Sequence, residues 1–211
     1  MWMDSYVCPA SREELASLLK LQRRMGYKYV GLCVESGLGN KDIAALARSL
    51  SIKVILARVL CAERPGEAKK LLREGEGAEL IIGRPGSIEA YRFMSRDSRF
   101  KIIEVSPSMI KHIDRGEAGL LTIGGGYLGF DLKRLINSPS NVSVLKAFFS
   151  RVFKWSIPFK LYSSATNVFE VWHPKHVYFL AKSMGFQGRK ALEGLSPIGM
   201  VNQLYSGGRD E

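Results

Sequence analysis

The stretch KVILARVLCAERPGEAKKLLREGEGAELIIGRPGSIEAYRFMSRDSRFKIIEV, residues 53–105, decides the fold, because it reads strand, helix, strand, helix, strand. Lys53 to Leu60 is an apolar run carrying Val54, Ile55 and Val59. Pro65 to Arg73 reads as a helix, with the proline in the first turn where its missing N–H costs nothing. Glu79 to Ile82 is a short strand, Ser87 to Met94 a helix, and Phe100 to Val105 another strand. Strands that alternate with helices are joined by right-handed crossovers and make a parallel sheet.

The same cycle extends in both directions. Upstream, Trp2 to Val7 is a strand, and a helix runs from about Ser11 to Met25, with Ser11 as N-cap and Glu14 three residues on completing a capping box. Tyr29 to Val34 is a strand. The loop Ser36-Gly37-Leu38-Gly39-Asn40 leads into a helix to about Leu50, where Ile43, Leu46, Ala47 and Leu50 form one apolar stripe. Downstream, Tyr127 to Leu132 is extended, Asn141 to Trp155 a long helix, and Lys160 to Ser164 a strand. Pro174 to Met184 and Arg189 to Leu204 are helical. Met109 to Gly126 is ambiguous, since Gly119 to Ile123 fits a strand or the end of a short helix. Roughly seven or eight βα units in one chain predict a compact TIM-like α/β barrel. No linker interrupts them, so a single domain is expected over 1–205, with a flexible tail over 206–211.

Composition narrows the function. Among 211 residues, 31 Lys and Arg face 20 Asp and Glu, a formal charge of +11 with a pI near 9.7. Such an excess favours a polyanionic partner, and its spread along the chain suits a folded docking surface better than a basic arm. Cys8, Cys33 and Cys61 are an odd number without metal-knuckle spacing, and each reads as a buried free thiol, in keeping with a reducing cytoplasm. No signal peptide or membrane-spanning apolar run is visible.

Enzyme chemistry finds little to stand on. A catalytic metal needs clustered histidines and carboxylates, yet the only histidines are His112, His173 and His176, and Glu170 is the sole nearby third ligand. Capping or surface roles are expected for them. Gly124-Gly125-Gly126-Tyr127-Leu128-Gly129 matches G-x-G-x-x-G but flows into a strand rather than a helix, so it reads as a turn and not a dinucleotide loop. Gly37-Leu38-Gly39-Asn40-Lys41 before a helix could seat one phosphate or be a plain βα loop. Ser163 and Ser164 end a strand without an acid–histidine pair to activate either. What remains is basic: Arg58, Arg84, Lys133 and Lys160 at or near strand ends, and Arg189 and Lys190 at the start of the last helix, where amides and cations would make a phosphate seat.

An ordered series of short motifs then resembles one family. Leu161-Tyr162-Ser163-Ser164-Ala165, Trp172-His173-Pro174-Lys175, Arg189-Lys190-Ala191-Leu192 and Leu195-Ser196-Pro197 are similar to ribonuclease P protein component 3 of the archaeal type. Ile103-Glu104-Val105-Ser106-Pro107 and Leu128-Gly129-Phe130-Asp131-Leu132 fall where that family has strands with similar ends. The likeness covers most of the chain and is strongest from Lys101 onward.

The resemblance implies a barrel of the polymerase-and-histidinol-phosphatase (PHP) type that lacks that group's histidine-rich metal site. It implies a non-catalytic RNA-binding subunit, with the RNA carrying out 5′ maturation of precursor tRNA. The partners implied are ribonuclease P RNA and component 2, with precursor tRNA met indirectly. No cofactor is implied for the protein, and Mg2+ for the RNA. Carried over residue by residue, Ser163, Ser164, Lys175 and Lys190 stand at family positions and join Arg189 as expected RNA contacts. Trp172, His173 and the glycines 124–126 depart from the family pattern. Val142, Leu145, Phe148, Phe149 and Phe153 on the long helix either form an apolar patch for component 2 or pack inward. The alternatives are a PHP-like metal-dependent phosphoesterase and a sugar-phosphate barrel enzyme using Gly124 to Gly126 as its phosphate loop.

Overall fold

The computed structural model describes residues 2–33, 40–74, 77–138, 141–197 and 200, leaving aside the side chains of Asn40, Lys41 and Glu74. Seven parallel strands run β1 (Trp2–Val7), β2 (Tyr27–Cys33), β3 (Lys53–Ala62), β4 (Leu80–Pro85), β5 (Phe100–Glu104), β6 (Tyr127–Asp131) and β7 (Phe159–Tyr162). They lie in sequence order across one sheet. The seam between β7 and β1 is joined by a parallel bridge from Val7 to Ala165, by Ser164 N–H to Tyr6 O at 3.1 Å and by Cys8 N–H to Ala165 O at 2.9 Å. The result is a TIM-like barrel of seven strands, nearly closed.

Helices cover the outside: α1 (Arg12–Arg24), α2 (Asn40–Ser49), α3 (Pro65–Glu74), α4 (Ile88–Arg96), α5 (Pro107–Ile110), α6 (Arg115–Gly124), α7 (Lys133–Asn137), α8 (Asn141–Trp155), α9 (Pro174–Ser183) and α10 (Gly188–Glu193). Strand alternation sorts the core into layers. Met3, Ile55, Ala57, Leu80, Ile82, Ile102 and Tyr162 fill the barrel and are joined by Met200. Residues of the other parity, such as Leu60, Ile103, Phe130 and Leu161, pack against helices.

The caps follow the sequence closely. Ser11 Oγ accepts the Glu14 N–H at 3.2 Å, while Glu14 Oε2 reaches back one residue further than a standard box, to Ala10 N–H at 2.9 Å. The ambiguous stretch is helical: Asp114 caps α6 through Gly116 N–H at 2.7 Å, and Gly125 ends it at φ 66. That left-handed position explains the glycine, and the run is a helix stop before β6 rather than a phosphate loop.

Two expectations change, and an open alternative on α8 closes. The helix expected from Arg189 to Leu204 is interrupted: α10 stops at Glu193, where Leu161 N–H takes Gly194 O at 3.0 Å and Met3 N–H takes Leu195 O at 2.7 Å, tying the chain to β7 and β1. Cys61 is exposed, while Cys8 is half-buried and Cys33 buried. On α8, Leu145, Phe148 and Phe149 are buried and Phe153 half-buried. Phe153 stacks on Phe149 at 5.6 Å and meets Phe186 at 5.1 Å, so these rings make core and only Val142 stays exposed. The loop expected over 36–39, the helix expected to continue over 201–204 and the tail expected over 206–211 lie outside the described residues.

Candidate functional site

Strand parity sends Arg84, Glu104, Asp131 and Tyr162 inward at the C-terminal ends of β4 to β7. Glu104 is wholly buried and forms the hub of the cluster. Arg84 Nη2 donates to its Oε2 at 2.8 Å, Tyr162 O–H to the same oxygen at 2.5 Å, and Arg134 Nη2 to Oε1. Two local features allow this. Gly129 leaves the space into which Ile102 and the Tyr162 ring fit, which a Cβ would fill. Asp131 Oδ1 accepts Lys133 N–H at 2.9 Å, turning the chain straight into α7 and bringing Arg134 back over the mouth.

The electrostatics follow from burial and pairing. Burial pushes the Glu104 carboxyl up, but Arg84, Tyr162 and Arg134 outweigh it and hold it below the ordinary glutamate value. Burial and the neighbouring Glu104 push Asp131 up to about 6. Burial, then Glu104, pushes the Tyr162 hydroxyl well above its ordinary value. At the rim, Lys133 Nζ pairs with Glu170 Oε2 at 2.8 Å, and Glu170 also accepts Thr166 N–H at 2.7 Å. Three cations thus stand among three carboxyl groups. Each guanidinium commits one Nη2 to Glu104 and keeps other N–H donors, and the Arg84 side chain is 41% exposed. Such donors can grip a phosphate. Among the described residues, no group of three or more His, Cys, Asp and Glu is placed to hold a metal ion.

The residues expected to contact RNA do not converge on one rim. Arg84, Lys133 and Ser164 stand at this C-terminal mouth. Ser164 holds a left-handed φ of 47, an uncommon conformation for serine. Ser163 is buried in the seam: its hydroxyl donates to Asp4 Oδ2 at 2.5 Å and its N–H to Asp4 Oδ1 at 3.0 Å. Gln22 Nε2 adds a third bond to Asp4 at 2.9 Å, and burial still pushes that carboxyl up to about 6. Arg58 shares the helix-facing side of β3 with Leu60. Lys175 is exposed in the first turn of α9, its N–H donating to His173 Nδ1 at 3.0 Å, so His173 is a cap. Lys160 and Lys190 lie at the opposite end, around a cavity below β6 and β7. Arg189, exposed beside Lys190, begins a helix of six residues, too short to present the phosphate seat expected there.

Sequence reasoning missed Glu104, Arg134, Tyr162 and Asp131. Glu104 was visible as a carboxylate directly after Ile102 and Ile103 in β5, and that is the one signal that could have found the cluster. Arg134 had none, because α7 was not foreseen.

No family model matches the chain. Among curated proteins, ribonuclease P protein component 3 of Aeropyrum pernix is 25% identical over 183 residues, 82% of this chain and 83% of the relative. Among solved structures, a chain in a cryo-EM structure of archaeal ribonuclease P with mature tRNA superposes with a TM-score of 0.73 at 14% identity, covering 94% of this chain and 89% of that one. A lactonase of Listeria monocytogenes superposes with a TM-score of 0.55 at 11% identity, covering 92% and 91%. The structural likenesses establish the barrel. The likeness to component 3 is one of sequence, and the solved structures add the fold alone.

Proposed function

We propose that this chain is the component 3 protein subunit of ribonuclease P, supporting the RNA in 5′ maturation of precursor tRNA. The observation that carries this reading is the match to the Aeropyrum pernix component 3, which spans more than four fifths of both chains. The fold likeness to a chain of archaeal ribonuclease P stands behind it, and a net charge of +11 suits an RNA partner. In this reading the chain binds ribonuclease P RNA directly, docks component 2 and meets precursor tRNA through the assembly, in the cytoplasm. No helix among the described residues is long and apolar enough to cross a membrane. Mg2+ serves the RNA. The enzyme alternatives are not favoured, since the component 3 relative matches over more than four fifths of both chains and Gly125 is a helix stop.

The RNA contacts in this reading are the cations with donors to spare: Arg84, Arg134 and Lys133 at the C-terminal mouth, and Lys175, Arg189 and Lys190 on exposed helix starts. Phosphate contacts fix position and carry the salt dependence.

The test is binding to ribonuclease P RNA across a salt series, with and without component 2. Log affinity is expected to fall linearly with log salt, by roughly 0.7 to 0.9 per neutralised phosphate. Reversing the charge of Arg189 and Lys190 is expected to reduce that slope, and component 2 to tighten binding. Affinity no better than for an unrelated RNA, with component 2 present, overturns the reading.

A further inference from the structure

A buried charge needs a partner of opposite sign or strong hydrogen bonds, because desolvating it costs far more than one neutral contact returns. Among the described residues, Lys160 breaks this rule. It is 2% exposed. Its Nζ donates to the carbonyl of Ser196 and lies 4.7 Å from the centroid of the Tyr127 ring. No described carboxylate forms an ion pair with it. Burial alone lowers its ammonium to about 8, so it remains largely charged at neutral pH.

The same lysine forms part of the wall of a cavity of about 510 Å³ at the N-terminal end of the barrel. One wall is apolar, built by Val152, Phe153, Ile157, Pro158 and Phe159. Lys190, with its Nζ 6.0 Å from the Phe153 ring centroid, and Glu193 stand on the α10 side. Two lysines and one glutamate leave the cavity with one positive charge in excess.

We propose that this cavity is a socket for a protein partner, receiving a carboxylate carried on an apolar stem or beside an apolar side chain, with Lys160 as its counter-charge. A phosphodiester suits it less well: nucleic-acid interfaces are polar, wet and rich in cations, whereas this one sets a single deep cation against phenyl and aliphatic walls. An apolar pocket around one desolvated charge is the composition of a protein–protein anchor site. The proposal does not rest on the ribonuclease P reading, and failure of either leaves the other standing.

The test uses the intact chain with isotopically labelled lysine, following the Lys160 ε-methylene signal by NMR. Three probes are compared: 3-phenylpropionate, its neutral amide and phenyl phosphate. The carboxylate is expected to move the signal saturably and to raise the Lys160 pKa from about 8 toward the ordinary lysine value, with the amide at least tenfold weaker. Lys190→Gln, an exposed change, is expected to weaken binding severalfold, and Lys160→Met to abolish it in a chain whose circular dichroism is unchanged. Equal binding of the amide, or no movement by any probe in the wild-type chain, removes the socket. Tighter binding of phenyl phosphate than of the carboxylate also overturns it, in favour of a phosphate site.

Discussion

At the C-terminal end of the strands, Glu104 is shared by Arg84, Arg134 and Tyr162, and a third ion pair, Lys133 with Glu170, closes the rim. At the N-terminal end, Lys160 has a carbonyl and an aromatic ring instead. Both ends bury charge, but among the described residues only the first balances it. Barrel enzymes do their chemistry at the C-terminal end; here that end is cross-linked, and the unbalanced charge sits on the face usually given to stability. The two ends should therefore answer mutation and pH in opposite ways.

The largest effect is expected at the hub. Glu104→Gln keeps the shape but removes the buried anion shared by two guanidinium groups, leaving like charges facing each other. Removing one partner of a buried ion cluster typically costs about 3–5 kcal/mol, measurable by urea denaturation. A loss below about 1 kcal/mol would mean that the arginines relax into solvent, and the cross-linked mouth would cease to be a structural contrast.

The next effect concerns the other end and has the opposite sign. Lys160 titrates lower in the folded chain, near 8, than in the unfolded one. Between those values the unfolded state holds more protons, so stability rises with pH. The contribution is full above the unfolded lysine value and lost as pH falls through about 8. From about pH 8 to 9.5 the wild type should gain roughly 1.5 kcal/mol that Lys160→Met lacks, tyrosine ionisation being common to both chains. At neutral pH the methionine variant should be at least as stable as wild type, since it buries no charge. An identical pH profile for the two chains would show that Lys160 has found a counter-charge after all.

Much of the fold was legible because its signals are local. The β-branched runs of β3 and β5, Ser11 as an N-cap, and Pro65 at a helix start each depend on a few neighbouring residues. The α8 boundaries, Asn141 and Trp155, coincide with the sequence reading. The site was far less legible, because its assembly is set by strand parity and long-range pairing. Arg84 and Arg58 look alike in sequence, yet one points into the barrel mouth and the other toward the helices. Ser163 and Ser164 are adjacent, yet one clasps Asp4, 159 positions away, and the other faces the mouth. The short α7, which delivers Arg134, was hidden because five residues carry too little periodicity to register.

The smallest effect is the most discriminating for function. Lys133 and Glu170 are 24% and 17% exposed, so their pairing is partly screened by water. Glu170 lies below the ordinary glutamate value despite burial, held by Lys133 and by Thr166. In Lys133→Ala the Thr166 N–H and hydroxyl, at 2.7 and 2.9 Å, still hold that carboxylate. The stability loss should therefore stay below about 1 kcal/mol. If Lys133 also meets a phosphate, the same variant should lower the salt slope of RNA binding by about one while its thermal midpoint barely moves. Glu170→Gln serves as the control, since it frees Lys133 from its partner and should leave the slope intact or steeper. Equal loss of stability and of RNA affinity in both variants would make the rim a brace between α7 and the loop after β7, with no direct part in binding.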